Sequence, residues 1–398
     1  MRDTVMVIGA GIAGIQAALD LANAGCEVIL IEKEPAIGGK MAALDKNFPT
    51  LDCSICIEAP KMSEVINNAN IEVLTLAEVA RVEGQAGNFT VTLRQKPRFV
   101  TSECTRCDEC VLVCPQILKN EFDVGMGVRK AIYTPFEQAE PGAYAIDIEN
   151  CLNEPPNYLP CNRCLEACQP NCIDFNMTEK TLTRNVASII VSTGFDLLDA
   201  TLLPEYGYGK HPDILTSMEF ERLLQASGPS KGEISRPSDW SHPENLLFVL
   251  CVGSRDRRFC KYCSRVCCMY SIKEAIQAVD HGTKNVTVLY MDIRAYGKGF
   301  DEFYTRSRIE GVRYIRSKPA KITGDGKTVR VRFENTDEAR IEERNFDMVV
   351  LAPAIIPSRG LDKLADILGI GLDDDGFVKA TEIRGDLIAT TRDGIYAC

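Results

Sequence analysis

The N-terminal part of the chain alternates short apolar runs with one segment of helical spacing. Residues 4–8 are apolar and predict a buried strand, and residues 27–31 predict a second one. Between them, residues 15–24 place apolar side chains at helical intervals, and Gly25 ends that pattern. The order of strand, helix and strand predicts a βαβ unit with two parallel strands.

The pattern remains a mixture of helix and strand up to residue 100 and changes after it. A helix is predicted over residues 61–68, and a three-stranded meander follows it at residues 71–74, 79–83 and 89–94. Residues 101–176 then hold nine cysteines, several prolines and little hydrophobic periodicity. We expect metal clusters, rather than an apolar core, to hold this segment together.

Regular patterning returns near residue 184 and predicts a second βαβ unit. Residues 187–191 predict a strand, and residues 226–243, which are rich in Pro, Ser and Gly, predict a linker. The elements expected after the linker are strands at 246–252 and 286–291 around a helix at 268–281, with further strands at 313–315, 329–333 and 347–351.

Composition places the chain among globular proteins and draws attention to its cysteines. Its 398 residues are 45% apolar and 25% charged, which excludes disorder as the dominant state. The 18 cysteines lie in a chain far too long for a small disulfide scaffold. The sequence contains no signal peptide and no apolar run of membrane-spanning length, so we expect a cytoplasmic protein whose cysteines serve metal or redox chemistry.

Charge and histidine content narrow the expected partners and metals. The net charge of −11 argues against a nucleic-acid partner. The chain has three histidines, so a histidine-rich zinc site is not expected.

Three glycines and one acidic residue predict a dinucleotide site in the first βαβ unit. Gly9, Gly11 and Gly14 fit the pattern G-x-G-x-x-G between a strand and a helix, and Glu32 stands at the end of the next strand. The glycines let the backbone approach a pyrophosphate at the helix N-terminus, and the acidic side chain can bind a ribose hydroxyl. A glycine-rich turn that binds no ligand is the alternative.

Further residues favour FAD over NAD at this site. Gly38-Gly39-Lys40 resembles a second flavin contact, and the strand end at Thr193 and Gly194 resembles an element of flavoprotein reductases. The cofactor-binding residues expected are Gly9, Gly11, Gly14, Glu32, Lys33, Gly38, Gly39, Lys40, Thr193 and Gly194.

Two sets of cysteines after residue 101 have the spacing of ferredoxins. The run C-x2-C-x2-C-x3-C-P that begins at Cys104 is typical of bacterial ferredoxins, in which the fourth cysteine ligates the other cluster. This crossover predicts one 4Fe–4S cluster bound by Cys104, Cys107, Cys110 and Cys168, and a second bound by Cys114, Cys151, Cys161 and Cys164. Cys172 is then spare, although it could exchange with Cys168. A zinc ribbon is the alternative for a C-x2-C pair.

A third set of cysteines lies where a nicotinamide-binding domain would carry its glycine loop. The first strand of the second βαβ unit ends in Cys251-Val252-Gly253-Ser254-Arg255, and further cysteines follow at 260, 263, 267 and 268. Four of these five cysteines predict a third 4Fe–4S cluster, with buried free thiols or a zinc site as alternatives. The phosphate-binding glycines are missing, so the sequence gives no support for NAD(P) at this place.

Three motifs resemble the HdrA-like family, the A-type subunits of heterodisulfide reductase. They are LDCSICI with PKM at residues 51–57 and 60–62, RKAIYTPF at 129–136, and CVGSR with YCSRVCCMY at 251–255 and 262–270. The resemblance covers essentially the whole chain. It implies bound FAD and an α/β fold of two dinucleotide-binding, Rossmann-like domains, similar to thioredoxin reductase, with an inserted two-cluster ferredoxin domain.

The resemblance also implies a division into domains. The FAD-binding domain comprises residues 1–100 and, together with a linker, residues 181–245. The ferredoxin-like insert with two 4Fe–4S clusters comprises residues 101–180. The second Rossmann-like domain, with one cluster, takes 246–345, and residues 346–398 return to the FAD-binding domain. The last strand lacks the glycine, aspartate and helix that follow it in this fold, so either the chain is incomplete or a partner completes the site.

The same resemblance implies ligands for the third cluster and a catalytic role for one lysine. Cys251, Cys263, Cys267 and Cys268 would bind a cluster near the flavin, which leaves Cys260 spare. Lys273 lies on the predicted helix after Cys268 and would approach the flavin N5, where a lysine could stabilise a reduced, anionic flavin. A solvated helix lysine is the alternative.

Four cysteines outside these sets have less defined roles. Cys53 and Cys56 could form a dithiol facing the flavin, a partial pair of cluster ligands, or a packing or partner contact. Cys26 is expected to be a buried, small apolar residue, and Cys398 is unassigned.

Together these features predict an FAD- and iron–sulfur-dependent oxidoreductase that acts as a subunit of a larger anaerobic complex. The leading hypothesis is flavin-based electron bifurcation or confurcation, in heterodisulfide reductase or a related aromatic-ring-reducing complex. The alternatives are a linear electron-transfer subunit of a sulfur-oxidising or quinone-interacting complex, and a cluster-bearing scaffold with a vestigial flavin site. The expected partners are disulfide-reductase-type and cluster subunits, a hydrogenase- or dehydrogenase-linked electron donor, and ferredoxin, in a dimer of complexes.

Overall fold

The computed structural model describes residues 4–153, 160–381 and 388–398. The chain divides into two compact units. Unit 1 comprises Met1–Ala42, Ile55–Phe195 and Pro357–Cys398, and unit 2 comprises Ala43–Ser54 and Asp196–Ile356. Unit 2 therefore begins at 196 and ends at 356, whereas the sequence predicted boundaries at 246 and 345, and it also includes the early segment 43–54.

The described residues contain both β-strands and α-helices. The strands are β1 Thr4–Ile8, β2 Glu27–Ile31, β3 Ile71–Leu74, β4 Ala77–Gln85, β5 Asn88–Gln95, β6 Leu118–Asn120, β7 Gly127–Arg129, β8 Ile132–Tyr133, β9 Ala145–Ile146, β10 Lys180–Val186, β11 Ser188–Val191, β12 Phe195–Leu197, β13 Ile214–Thr216, β14 Asn245–Val252, β15 Asn285–Tyr290, β16 Arg313–Arg316, β17 Pro319–Gly324, β18 Val329–Asn335, β19 Arg340–Phe346, β20 Met348–Pro353, β21 Ile355–Pro357 and β22 Ile395–Ala397. The α-helices are α1 Ile12–Asn23, α2 Ser54–Asn67, α3 Glu109–Val113, α4 Arg163–Ala167, α5 Ser217–Leu224, α6 Cys267–Asp280, α7 Phe300–Ile309 and α8 Leu361–Leu368.

The main sheet of unit 1 is parallel, with the strand order β22-β11-β1-β2-β3. Successive side chains of β1 enter opposite cores, because Met6 and Ile8 pack with one apolar cluster and Val7 packs with another. Both faces of the sheet are therefore covered, which explains why β1 and β2 are apolar almost throughout. The carboxyl ends of β1, β2 and β11 meet at one edge, where ligands bind in folds of this kind.

The predicted meander of unit 1 is wrong in one strand. Residues 71–74 form β3 and pair with β2 in the parallel sheet. The antiparallel sheet of this unit has the order β10-β5-β4, so its third strand is supplied by Lys180–Val186, after the cysteine-rich segment. Local periodicity shows a strand but cannot show its partner, and the partner here is distant in sequence.

The cysteine-rich segment has short helices and strands and a core built partly of thiols. Its apolar cluster combines Phe99, Ile132 and Tyr144 with several of the cysteines. Cys110 and Cys164 each lie in a five-residue helix, α3 or α4, and a further cysteine follows each helix directly. The segment is therefore built from two similar short helical turns, as its repeated cysteine spacing suggests.

The main sheet of unit 2 is also parallel, with the strand order β13-β20-β14-β15-β16. The predicted strand at 347–351 becomes β20, which lies inside this sheet, so the return to unit 1 begins only at Pro357. Every residue of β20 is buried, and a wholly apolar strand fits either parallel sheet equally well. Residues 329–333 belong to β18 of a separate antiparallel sheet, β17-β18-β19. None of the helices in the described ranges has the length and hydropathy needed to cross a lipid bilayer.

Candidate functional site

The loop between β1 and α1, which we call the glycine loop, has the geometry of a phosphate-binding turn. Gly9 has a φ of +100°, and a Cβ there would lie 2.4 Å from the carbonyl oxygen of Ser192. A Cβ on Gly14 would lie 1.9 Å from the carbonyl oxygen of Gly9. At Gly11 the closest atom would be the Cα of Gly39, at 3.9 Å. The first and third glycines are thus required by packing, whereas Gly11 leaves the backbone open to a ligand.

The start of helix α1 is suited to an anion. Gly11 is its N-cap, no side chain caps it, and its first turn holds no acidic residue. The free backbone N–H groups and the positive end of the helix dipole therefore face the glycine loop. This arrangement fits the pyrophosphate of a dinucleotide.

Glu32 follows β2 and holds the glycine loop. One of its carboxylate oxygens accepts a hydrogen bond from the Ala10 N–H at 2.8 Å, and the other accepts one from the Glu34 N–H at 3.0 Å. Burial raises the pKa of Glu32, and the two backbone hydrogen bonds oppose that rise. A carboxylate has further lone pairs, so Glu32 keeps the capacity to accept a hydrogen bond from a ribose hydroxyl.

The second glycine pair packs against the glycine loop. Gly38 forms a bridge with Gly11, and its N–H donates to the Ala10 carbonyl oxygen at 2.8 Å. Gly39 has a φ of +61°, and a Cβ there would lie 2.9 Å from the Cα of Gly11. The close approach of the two loops therefore depends on glycine at position 39.

Two lysines predicted to contact the cofactor lie on the surface of unit 1. Lys33 is exposed just after the end of β2. Lys40 is also exposed, and its ammonium lies 5.7 Å from the centroid of the Phe195 ring. Both charges are thus accessible to an anionic ligand.

The end of β11 completes this edge of the sheet. The hydroxyl oxygen of Ser192 lies 2.8 Å from the Gly9 carbonyl oxygen and 3.1 Å from that of Ile8. Thr193 is half-buried beside it, and Gly194 has a φ of +67°. The structure therefore brings the strand end and the glycine loop together, as the prediction of an FAD site requires.

Five cysteines line one cavity of the cysteine-rich segment, which we call the first thiol cavity. Its walls are apolar and include Ile132. Its cysteines are Cys104, Cys107, Cys110, Cys168 and Cys172. The four ligands predicted for one cluster lie here, and Cys172 lies with them.

Four cysteines line another cavity of the same segment, which we call the second thiol cavity. They are Cys114, Cys151, Cys161 and Cys164, the four predicted for the other cluster. Ile132 lines both cavities, so the two sites share a wall. The crossover of Cys114 and Cys168 between the cavities follows from the turn that each makes after its short helix.

Burial and mutual repulsion favour the protonated form of these thiols. Burial, followed by the neighbouring thiols, raises the pKa of Cys110 to about 12. Burial is also the main cause that raises the pKa of Cys164 to about 11. Iron would replace the protons and bind the thiolates.

The number and kind of donors in each cavity fit a four-iron cluster. A cubane takes one cysteine thiolate at each of its four irons. The second thiol cavity offers four cysteines and the first offers five. Among the described residues no group of three or more His, Cys, Asp or Glu side chains is arranged around a single metal ion.

The third set of thiols lies in unit 2 between β14 and α6. Cys251 lies near the end of β14 with a φ of +59°, where the pairing with β20 shifts register. Cys267 and Cys268 begin α6, so the positive end of that helix faces the site. Burial raises the pKa of Cys251 to about 12, and the thiols that add to the rise are Cys268, Cys267 and Cys263.

The same loop shows how Cys260 differs from these four. Its N–H donates to the Gly253 carbonyl oxygen at 3.1 Å, and its own carbonyl oxygen accepts from the Asp256 N–H. Cys260 is buried within the backbone pairing of the loop. The place where a nicotinamide domain would hold its phosphate loop is thus filled by a cysteine-rich turn.

Lys273 is buried in unit 2 and is not a solvated helix lysine. Its side chain is 1% exposed, and its ammonium pairs with the Glu221 carboxylate and donates to the Lys46 carbonyl oxygen at 2.9 Å. Glu274 is buried beside it, where desolvation and the charge of Glu221 hold the Glu274 pKa well above its usual range. Whether Lys273 approaches a flavin stays a prediction.

The remaining cysteines have different environments. Cys53 and Cys56 are disulfide-bonded. Cys26 is half-buried just after the end of α1, and is therefore less enclosed than expected. Cys398 is exposed, and its N–H donates to the Val191 carbonyl oxygen.

Two buried charged residues of unit 1 escaped the sequence analysis. Burial raises the pKa of Glu58 to about 8, and neither of its carboxylate oxygens has a hydrogen-bond partner among the described residues. Burial lowers the pKa of Arg98 to about 10. Glu58 lies inside a helical pattern and Arg98 in an unpatterned segment, so only their closeness in sequence to a cysteine motif could have singled them out.

Comparison with known proteins identifies relatives over nearly the whole chain. The family of FAD-dependent oxidoreductases matches residues 4–53. The chain is 46% identical over 396 residues to the A-type iron–sulfur subunit of CoB–CoM heterodisulfide reductase from Methanocaldococcus jannaschii, an alignment that covers 98% of this chain and 59% of that protein. It is 44% identical over 399 residues to the A-type subunit of the H2:CoB–CoM heterodisulfide, ferredoxin reductase from Methanothermobacter marburgensis, covering 99% and 60%. The chain thus spans about three fifths of the length of these relatives.

Solved structures with a similar fold include thioredoxin reductases. That of Lactococcus lactis is 16% identical, with a TM-score of 0.53 over 100% of this chain and 89% of that one. That of T. acidophilum is 14% identical, with a TM-score of 0.51 over 100% and 90%. This likeness confirms the thioredoxin-reductase-like α/β fold, whereas the ferredoxin character of the insert stays a prediction.

Proposed function

We propose that this chain transfers electrons between FAD and three 4Fe–4S clusters as one subunit of a larger complex. The chain belongs to the HdrA-like family of heterodisulfide reductase and spans about three fifths of the length of its relatives in that family. FAD takes up electrons in pairs and releases them singly, and each cluster carries one electron. A cytoplasmic location is part of the proposal, because thiols in such number stay reduced in that compartment.

The observation that carries the proposal is the continuity between the glycine loop and the thiol cavities within unit 1. Arg98 donates a hydrogen bond to the Thr75 hydroxyl at 2.7 Å and also bonds the Pro35 carbonyl oxygen. It also donates to the Ala143 carbonyl oxygen at 2.9 Å, next to Tyr144, which lines the first thiol cavity. One buried guanidinium therefore links the turn after Glu32 to the wall of that cavity.

A second connection runs through the main chain. The Ile37 N–H, next to Gly38, donates to the Glu140 carbonyl oxygen at 2.9 Å. Arg106, which lies inside the ferredoxin run, bonds the Glu137 carbonyl oxygen in the same segment. The first thiol cavity is thereby joined to the loop that packs on the glycine loop.

The order of the sites suggests the order of electron transfer. Arg98 and the main chain connect the first thiol cavity to the segment 35–38, which packs on the glycine loop, and the second cavity shares the wall at Ile132 with the first. We infer an electron path from the flavin through the first cluster to the second.

The roles of individual residues follow from their chemistry. The backbone at Gly11 and the N-terminus of α1 would hold the pyrophosphate, and Glu32 would hold the ribose. The twelve predicted cysteines would hold the clusters, and burial and hydrogen bonding around them would set the reduction potentials. Lys273 would approach the flavin N5, a role that rests on the resemblance alone.

Cofactor content tests the proposal against a cluster-bearing scaffold. Protein purified without oxygen should release one FAD per chain on denaturation and should contain iron and acid-labile sulfide for three four-iron clusters. Absence of flavin in protein that contains its full iron would favour the scaffold. Absence of iron would overturn the proposal.

Bifurcation is the finer part of the proposal and needs the assembled complex. With a two-electron donor, low-potential ferredoxin should be reduced only while a high-potential acceptor, such as a disulfide, is also reduced. The control reaction omits the disulfide. Ferredoxin reduction at an undiminished rate in that control would show a linear electron path. Partner subunits of the disulfide-reductase and electron-donor types, and a dimer of complexes, belong to the same proposal and would co-purify.

A further inference from the structure

The first thiol cavity contains one cysteine more than a four-iron cluster requires. Each iron of a cubane takes one cysteine thiolate, so four cysteines suffice, and the second thiol cavity has four. The first has five, and the surplus lies at Cys168 and Cys172. The other three, Cys104, Cys107 and Cys110, form the ferredoxin run.

Cys168 and Cys172 present their sulfur atoms at nearly the same point. The two Sγ atoms are 3.3 Å apart, and the Cys172 N–H donates to the Cys168 Sγ at 3.4 Å. Both residues are buried, with 8% and 3% of their surface exposed. Two thiols this close are poorly placed for different corners of one cubane, so both serve the same corner.

Cys172 has a second set of backbone contacts in addition to its contact with Cys168. Cys168 directly follows helix α4. The Cys172 carbonyl oxygen accepts from the Thr101 N–H at 2.8 Å, and the next residue forms a bridge with Val100. Cys172 is therefore anchored to the segment that leads into Cys104. This anchoring, in addition to the packing of α4, places the Cys172 sulfur in the cavity.

We propose that Cys168 and Cys172 are interchangeable ligands for one iron corner of the first cluster. The inference rests on the proposed function, since it presumes a cluster in this cavity. In the exchange, the sulfur of Cys168 leaves iron and takes up a proton, while the thiol of Cys172 gives up its proton and binds. No electron is gained or lost, and the proton passes between two sulfur atoms in contact.

The test uses Cys168→Ala and Cys172→Ala variants of the full chain, purified without oxygen, together with the double variant. Iron and sulfide per chain are measured, and the electron paramagnetic resonance spectrum of the reduced protein identifies the cluster affected. Each single variant should keep the iron content of the unmodified protein. The double variant should lose iron from one cluster, because one corner has no thiolate.

Loss of iron from a single variant would overturn the proposal. Loss in Cys168→Ala alone would make Cys168 the sole ligand, and loss in Cys172→Ala alone would make it Cys172. Full iron in the double variant would equally overturn the proposal, because neither cysteine would then be a ligand. Where the double variant fails to fold, loss of iron from either single variant still refutes the exchange.

Two further variants serve as controls for the measurement of iron content. The Cys104 thiol also lies close enough to Cys172 to interact with it, so Cys104→Ala asks whether Cys172 replaces that ligand instead. Cys104→Ala should lose iron, and full retention would overturn the assignment of Cys172 to the corner of Cys168. Cys26→Ala lies outside the cavities and should lose none.

Failure of the exchange can be told apart from failure of the proposed function. An unmodified chain without iron would overturn the function itself, whereas iron lost only from a single variant overturns the exchange. FAD retained by each variant reports that the glycine loop, and with it the fold of unit 1, is intact.

Discussion

The strand–loop–helix segments β1–α1 and β14–α6 occupy corresponding places in two parallel sheets and differ in what the loop holds. Residues 9–11 join β1 to α1 with two glycines, whereas residues 253–266 join β14 to α6 and carry cysteines. The short loop leaves backbone N–H groups open to a phosphate. The long loop fills that place with thiols, so one fold position suits a nucleotide in one sheet and a predicted cluster in the other.

The acidic residues at the ends of the next strands differ in the same way. Glu32 follows β2, is buried, and accepts hydrogen bonds from backbone N–H groups. Asp292 follows β15, is 45% exposed, and pairs with Arg255 in the loop between β14 and α6. A carboxylate that is held by backbone N–H groups can still accept a hydrogen bond from a ribose hydroxyl. A carboxylate paired with arginine instead stabilises the loop that carries the arginine.

The helices complete the contrast. Helix α1 buries small and apolar residues, among them Ile15 and Leu19. Helix α6 buries Lys273, Glu274 and Gln277 as well as apolar side chains. The buried face of the first helix is held by apolar packing, and that of the second depends on a buried network of charges.

The largest effect is expected from Cys251→Ser. If the β14 loop is a cluster site, this variant should lose iron from one cluster and keep its FAD, because the ligand near the strand end is gone while the glycine loop is intact. Cys260→Ser is the matched control in the same loop and should keep all its iron. Iron and flavin content per chain measure both. Full iron content in Cys251→Ser would remove the contrast between the two loops.

Removing the charge of Lys273 should cost about 3–5 kcal/mol of the free energy of unfolding, because Glu221 would be left buried without its partner. Chemical denaturation of Lys273→Met measures the loss. Lys284→Met is the matched control, since Lys284 pairs with Glu244 on the surface and should cost about 1 kcal/mol or less. Equal losses in the two variants would refute the buried network.

A methyl group at Gly9 should destabilise unit 1 and abolish FAD binding. Gly9→Ala adds a Cβ that overlaps the Ser192 carbonyl oxygen and also strains a positive φ. Gly25→Ala has the same kind of strain at φ +94°, with open space around the Cβ, and should cost about 1–2 kcal/mol and keep FAD. Thermal melting and retained flavin separate the two, and FAD kept at full occupancy in Gly9→Ala would contradict the loop assignment.

The smallest expected effect is on FAD affinity, and it distinguishes Glu32 from Asp292. Glu32→Gln leaves one backbone N–H facing an amide NH2, so the glycine loop is held less firmly. This should weaken FAD binding by about 1–3 kcal/mol, or roughly 5- to 150-fold. Asp292→Asn disturbs an exposed ion pair and should change FAD affinity little. Titration of the apoprotein with FAD gives both affinities. If Asp292→Asn weakened FAD binding as much as Glu32→Gln, the two acidic residues would not differ in their role in FAD binding.

Much of the site could be predicted because its signals are local in the chain. The glycine pattern at residues 9–14 and the spacing of Cys104, Cys107 and Cys110 place backbone and thiols within one or two turns of each other, where chain geometry alone largely fixes their arrangement. The crossover of Cys114 and Cys168 also follows from spacing, since each cysteine comes directly after a short helix.

Pairing between distant strands could not be predicted in the same way. Strand β5 pairs with Lys180–Val186 across the cysteine-rich segment, and β20 joins the sheet of unit 2. Local apolar patterning predicts each of these strands but does not specify its neighbour. Local patterning therefore does not fix where one unit ends and the other begins.

The sequence by itself determined the two βαβ units, the glycine loop and the three groups of cysteines. Only the tertiary structure paired Lys273 with Glu221, left the Glu58 carboxylate buried without a hydrogen bond among the described residues, and turned Cys172 toward Cys168 inside the first thiol cavity. The physical reason is that spacing along the chain fixes groups one turn apart, whereas packing chooses which distant groups share a buried space.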